Sequence, residues 1–147
     1  MLIKEMKINI SSDHAGVELK AAIIKYLIAN YKVNDLGPSS TESVDYPDYA
    51  HKLIEDMLTN NVPTAILICG SANGVSMVAN KYKNIRAAIC WNKDIAALAR
   101  KHNNANVLSL PARFITESQA FEIVDTFLHT EFEGGRHLRR VNKINCV

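Results

Sequence analysis

Ala65-Ile-Leu-Ile-Cys69-Gly70-Ser-Ala-Asn-Gly74 is an unbroken apolar run that ends at a cysteine and passes directly into a glycine-bounded turn. A short apolar run without polar alternation suits a strand buried on both faces, the situation of a parallel sheet covered by helices on either side. Such a strand requires neighbouring helices to cover it, so the flanking segments are expected to alternate between the two kinds of element.

They do. Upstream, Lys7 to Ser12 alternates as a strand, and Asp13-His14-Ala15-Gly16 opens a segment with Leu19, Ala22, Ile23, Tyr26 and Leu27 on one helical face. A second strand is expected from Lys32 to Leu36, stopped by Gly37-Pro38. Asp45 is then the expected N-cap of a helix that takes Pro47 in its first turn and repeats Ala50, Leu53, Ile54 and Met57 at helical spacing. Downstream of the turn come a helix over Val75–Tyr82, a strand over Arg86–Trp91, a helix over Lys93–Asn103 and a strand over Val107–Leu110. Thr116 and Gln119 form a capping box for a last long helix carrying Phe121, Val124, Phe127 and Leu128, and Gly134-Gly135 breaks it before a short basic segment. The pattern predicts an α/β fold, a five-stranded, mainly parallel, doubly wound sheet of order 2-1-3-4-5. In that order the carboxyl ends of strands 1 and 3 flank the crevice where such folds bind ligands, which brings Asp13, His14 and the Cys69–Gly74 turn together.

The chain has 147 residues, of which 48% are hydrophobic and 22% charged, an ordinary composition that allows a full core without disulfides or a structural metal. One domain over residues 1–147 is expected, since no repeat or linker divides it. No apolar run approaches the roughly 20 residues that cross a bilayer, and no secretory signal is visible, so no membrane partner and a cytoplasmic location are expected. Cys69, Cys90 and Cys146 form no C-x-x-C pair, which argues against a disulfide framework or zinc ribbon. The net charge of +2 is uneven, because residues 134–147 hold Arg136, Arg139, Arg140 and Lys143 with no acid. Without aromatics interleaved among these cations the pattern suits a small anionic ligand better than nucleic acid.

Cys69 closes the central strand beside a glycine turn that leads into a helix, so backbone N–H groups and the helix dipole are expected to lower its pKa. The alternative is a core cysteine, the reading that fits Cys90. The Gly70–Gly74 turn matches neither G-x-x-x-x-G-K-[ST] nor G-x-G-x-x-G, so a nucleotide cofactor is not indicated. Valine at position 75 removes the arginine that a cysteine phosphatase would use. Asp13-His14 reads either as an N-cap with a surface histidine or as a switch-point pair, and His102-Asn103 as a helix end or a site. His51 and His129 fit solvated helix faces, and no histidine pair has H-x-x-x-H spacing with acidic support, so no metal is assigned. Arg136 and Arg140, one helical turn apart, can form a phosphate clamp with Arg113 as a third donor, or simply a solvated tail.

Ser12-Asp13-His14-Ala-Gly16, Asp45-Tyr-Pro-Asp-Tyr-Ala50, Ile66-Leu-Ile-Cys69-Gly70, Ala79-Asn-Lys81, Ile85-Arg-Ala-Ala88, His102-Asn103, Asn106-Val-Leu108 and Phe132-Glu-Gly-Gly-Arg136-His follow one another over about Lys7 to Val141. Together they resemble the type B ribose-5-phosphate isomerases, a family that includes galactose-6-phosphate isomerase subunits. The resemblance implies a Rossmann-like αβα sandwich and a metal-independent aldose–ketose isomerase of the pentose phosphate pathway, needing no cofactor. It also implies a homodimer or dimer of dimers with shared active sites. Carried over, Cys69 is the base between C1 and C2, working through a cis-enediolate, and His102 helps open the furanose ring. Asp13 and His14 contact substrate, Gly70, Ser71, Ala72, Asn73 and Gly74 form the anion hole, Asn103 binds sugar hydroxyls, and Arg113, Arg136 and Arg140 bind phosphate. Where the family commonly reads Cys-Gly-Thr-Gly-x-Gly, this chain has Ser71 and Ala72, so a left-handed backbone at Ala72 would be strained. The alternatives are a hexose 6-phosphate isomerase, acting on allose or galactose 6-phosphate, and a non-catalytic phosphosugar-binding module.

Overall fold

The structure, a computed structural model, describes residues 5–145. Its elements follow the expected alternation: β1 (Lys7–Ser12), a 3-10 turn (His14–Gly16), α1 (Val17–Leu27), β2 (Lys32–Asp35), α2 (Tyr46–Thr59), β3 (Thr64–Cys69), α3 (Asn73–Ala79), β4 (Ala87–Ile89), α4 (Lys93–Asn103), β5 (Val107–Pro111), α5 (Glu117–His129) and α6 (Arg136–Asn142). Cys146 lies outside the described residues.

All five strands pair in parallel, in the order β2-β1-β3-β5-β4. The expected order 2-1-3-4-5 is therefore wrong in its last two places. Burial explains the exchange: every residue of β5 is buried, whereas the short Ala87-Ala-Ile89 of β4 is only half-buried along its length. The bulkier, drier strand takes the interior place beside β3, and the short one takes the edge, where a ladder has fewer groups to leave unpaired. The switch point between β1 and β3 is unaffected, because β2 and β5 still lie on opposite sides of that pair.

β3 is the hub. Ile66 and Ile68 face a core shared with Ile8, Ile10, Leu108 and Leu110 of the neighbouring strands and closed by Ile23, Ile123 and Phe127 of α1 and α5. Ala65, Leu67 and Cys69 face the other core, closed by Leu53, Ile54 and Met57 of α2 and Val75 of α3. Period-2 alternation along one strand thus feeds two apolar layers.

The local signals act much as expected, with three differences, the first being that α3, expected over Val75–Tyr82, runs over Asn73–Ala79. The Thr116–Gln119 capping box forms in both directions. Asp45 stands at the N-cap of α2, yet its side chain makes no capping bond. Pro47 removes one donor of the first turn, and the Asp48 N–H donates instead to the Asp45 carbonyl at 3.2 Å. The strand expected over Arg86–Trp91 shrinks to Ala87–Ile89, because Trp91 is exposed and Asn92 already caps α4 through Ile95 N–H.

Gly16 fixes how closely the first turn approaches the sheet: a Cβ there would lie 2.7 Å from Ile68 Cγ2 and 2.9 Å from Ser12 Cβ. Gly16→Ala is therefore expected to lower stability by about 1–3 kcal/mol, the usual cost of overpacking. A urea midpoint equal to that of the unsubstituted protein would contradict this account.

Candidate active site

The carboxyl edge of the sheet gathers one set of the expected residues. β3 ends at Cys69, whose side chain is only 5% exposed on the α2–α3 side, and Ala72 N–H donates to its Sγ at 3.0 Å. Ala72 reaches that position in the left-handed region, φ 66° and ψ −2°, so the strain expected of a non-glycine residue there is present. Ser71 Oγ accepts the Asn73 N–H at 3.3 Å, and Ser76 Oγ donates to the Ala72 carbonyl at 2.7 Å, which stiffens the turn from both ends.

The expected lowering of the Cys69 pKa is not what the surroundings produce. Burial pushes the thiol up from its ordinary value and outweighs the backbone N–H groups of Val75, Ala72 and Ser71, which favour the thiolate, while the Asp13 carboxylate adds to the rise. Cys69 thus rests as a protonated thiol at neutral pH. Cys90 is fully buried and pushed up to about 12, in keeping with a core role.

Asp13 borders Cys69 from the end of β1. Its backbone N–H donates to the Ile68 carbonyl at 3.0 Å, and its carboxylate accepts the Gly16 N–H at 3.2 Å, so the N-cap reading and the switch-point reading hold together. His14 follows on the same turn and accepts the Val44 N–H at Nδ1, 3.2 Å away, which leaves Nε2 to carry the proton of the neutral ring. Arg113 lies over Gly70: its N–H donates to the Gly70 carbonyl at 3.1 Å, and a Cβ on Gly70 would sit 3.1 Å from Nη1. Tyr46, part of the Asp45–Ala50 motif but not among the candidate site residues, lies against Gly74, where a Cβ would overlap its ring. The available signal was an aromatic in the first turn of a helix that starts at the carboxyl edge.

His102 and Asn103 do not join this set within the chain. α4 connects two parallel strands and so runs back across the sheet, ending where the Asn106 N–H donates to the Arg86 carbonyl just before β4. Both residues therefore lie at the amino edge, separated from Cys69 by on the order of 15 Å, the length of a five-residue strand. Arg136 and Arg140, exposed on α6, are on that side as well, because His102 stacks on His137 with ring centroids 4.3 Å apart and planes within 13°. A clamp of Arg113 with Arg136 and Arg140 inside one chain is thereby excluded: the first stands at the opposite edge from the other two.

His137 was another residue that spacing did not single out. It is 7% exposed, and its Nε2 lies 3.7 Å from a carboxylate oxygen of Glu133. Burial lowers its pKa, with His102, Arg136 and Arg140 acting in the same direction and Glu133 opposing them. No sequence pattern announces the His102–His137 pair, since 35 residues separate the two and only the packing of α6 on α4 joins them.

Known proteins share this fold. A ribose 5-phosphate isomerase from Thermotoga maritima superposes with a TM-score of 0.94 at 53% identity, covering 97% of this chain and 99% of its own. The Mycoplasma genitalium ribose-5-phosphate isomerase B, solved with bound ribulose-5-phosphate, gives a TM-score of 0.90 at 46% identity, covering 95% of this chain and 94% of its own. The Escherichia coli ribose-5-phosphate isomerase B is 39% identical over 142 residues, which are 96% of this chain and 95% of that protein. The family model described as Ribose/Galactose Isomerase matches residues 8–144. With a five-stranded parallel sheet of matching fold and identity along nearly its whole length, this chain belongs to the ribose/galactose isomerase family.

Proposed function

We propose that this chain is an aldose–ketose isomerase that interconverts D-ribose 5-phosphate and D-ribulose 5-phosphate, with Cys69 as the base. The observation that carries the reading is the placement of Cys69 at the switch point, its sulfur already receiving a backbone N–H and Arg113 lying over the next residue. Such a position suits proton abstraction next to a carbonyl. The thiolate takes the proton from C2 of the open-chain aldose, and the C2–H electron pair becomes the C1–C2 double bond of the enediolate as the carbonyl pair moves onto O1. The hydroxyl proton passes from O2 to O1, the O2 pair forms the carbonyl at C2, and the double-bond pair takes the proton back from the same sulfur at C1, which restores the thiolate. Backbone donors already aimed at the turn stabilise the enediolate oxygen without reorganising. Their preference for the anion also recovers part of what burial costs the thiolate, although burial still holds the resting thiol protonated. In this reading Asp13 and His14 contact the sugar, Gly70, Ser71, Ala72, Asn73 and Gly74 line the anion hole, and Tyr46 forms a wall.

The remaining roles come from a second copy. His102, which transfers the proton of ring opening, Asn103 on the sugar hydroxyls, and Arg136 and Arg140 on the phosphate all lie at the far edge of their own chain. A homodimer, alone or paired into a dimer of dimers, supplies them to the Cys69 of its neighbour. Two-fold pairing makes both sites alike, because each copy lends one edge and receives the other. Phosphate binding by arginine then uses energy from a remote part of the substrate to hold the reacting carbon in place.

The family also includes enzymes of galactose, so a hexose 6-phosphate is the second reading; comparing kcat/KM for the pentose and hexose phosphates decides between them. The free thiols of Cys69 and Cys90 agree with a reducing, cytoplasmic compartment.

Cys69→Ala is expected to abolish ribulose 5-phosphate formation and exchange of the C2 hydrogen with solvent while leaving ribose 5-phosphate binding in place. A fully active variant would refute the role of the thiol. The shared site has its own test. Cys69→Ala and His102→Ala, each inactive, are expected to regain about a quarter of wild-type activity when unfolded together and reassembled in equal amounts, because half the dimers then carry one intact site. A mixture as inactive as its components would show that both residues act within one chain.

A further inference from the structure

His102, Glu133 and His137 come from the last turn of α4, the connection after α5 and the first turn of α6, yet their donor atoms all lie within 4.8 Å of one another. Glu133 is pinned to α4 through its backbone N–H, which donates to the Lys101 carbonyl at 3.1 Å, so its carboxylate cannot drift far from His102. His137 is more than nine-tenths buried, which fixes its ring before any ligand arrives. Two imidazoles and one carboxylate, open to solvent on the side of exposed Glu133, make a three-ligand set of the kind that holds zinc with a fourth position free. Magnesium and calcium prefer oxygen-only shells and fit it poorly.

We propose that this triad is a binding site for one zinc-like divalent ion per chain, with a nitrogen each from His102 and His137 and an oxygen from Glu133 as ligands. Tetrahedral coordination at about 2.0–2.1 Å needs donors roughly 3.4 Å apart. Rotation of the half-buried His102 ring out of its stack on His137, together with a swing of the exposed Glu133 side chain, supplies that contraction. Arg136 and Arg140 face the same histidine and oppose a cation, so the site is expected to bind reversibly rather than retain its metal through purification. The functional consequence rests on the role proposed above for His102: a nitrogen bound to zinc can neither give nor accept the ring-opening proton, so the ion acts as an inhibitor, competing with phosphosugar for the same residue.

The test starts from the full chain treated with chelator. Calorimetric titration with zinc is expected to give one ion per chain, and Glu133→Gln, checked for native circular dichroism, is expected to weaken binding at least about tenfold. Cobalt(II) in place of zinc is expected to show visible ligand-field bands without a near-ultraviolet sulfur charge-transfer band, which separates this site from any of the three cysteines. Absence of stoichiometric binding, binding indifferent to Glu133→Gln, or a sulfur band would each overturn the site. Ribulose 5-phosphate formation is followed alongside and is expected to fall with the same zinc midpoint. Binding that leaves the isomerase fully active would overturn the inhibition and the role of His102, whereas a metal-free protein without isomerase activity would overturn the catalytic reading and leave the site to be judged on binding and spectrum alone.

Discussion

The burial of β3 on both faces governs this molecule. A strand with no solvent-facing side can satisfy its backbone only through neighbours on both edges, and it finds them in β1 and β5. Its side chains need apolar cover above and below, which α1 and α5 give on one face and α2 and α3 on the other. Ile66, Leu67 and Ile68 are entirely buried, and each contributes about 1.5–3 kcal/mol by the usual measure of apolar burial. The same constraint places Cys69, the residue that closes the strand, at the mouth of the crevice between β1 and β3 rather than on an outer surface.

That placement has an electrostatic cost. A cysteine pulled into the core end of a strand loses hydration, and the amides of the following turn recover only part of what the thiolate needs. The turn itself is under tension, since Ala72 adopts a left-handed backbone that costs on the order of 1–2 kcal/mol for a residue bearing a Cβ. The strained residue is also the one that donates its N–H to the sulfur. In the role proposed for Cys69, strain held at this turn by the surrounding contacts is a form of preorganisation.

The direction of the helices divides the remaining chemistry. Every crossover from a parallel strand to the next starts a helix at the carboxyl edge and returns it to the amino edge. Residues at the C-terminal end of α4, and those of α6 packed against it, are therefore barred from the Cys69 crevice of their own chain. His102, Asn103, Arg136 and Arg140 share the far edge with His137, whose affinity for a proton is lowered first by its burial and further by His102 and the two arginines.

The sequence by itself determined the alternation of elements, the identity of the buried strand and the turn beside it, because hydrophobic period, glycine, proline and capping residues act over a few positions. It also carried the motifs of the family, and with them Asp13, His14, Cys69 and His102 as candidates. Only the tertiary structure decided that β5 lies inside β4, since that choice depends on which of two apolar strands loses more by facing water. Only it decided that the Cys69 thiol is raised rather than lowered, because burial is summed over the whole surroundings while a turn motif reports only the nearby amides. It alone joined His102 to His137 and parted Arg113 from Arg136 and Arg140: these relations depend on how helices run and pack across the sheet, and spacing along the chain holds no record of that.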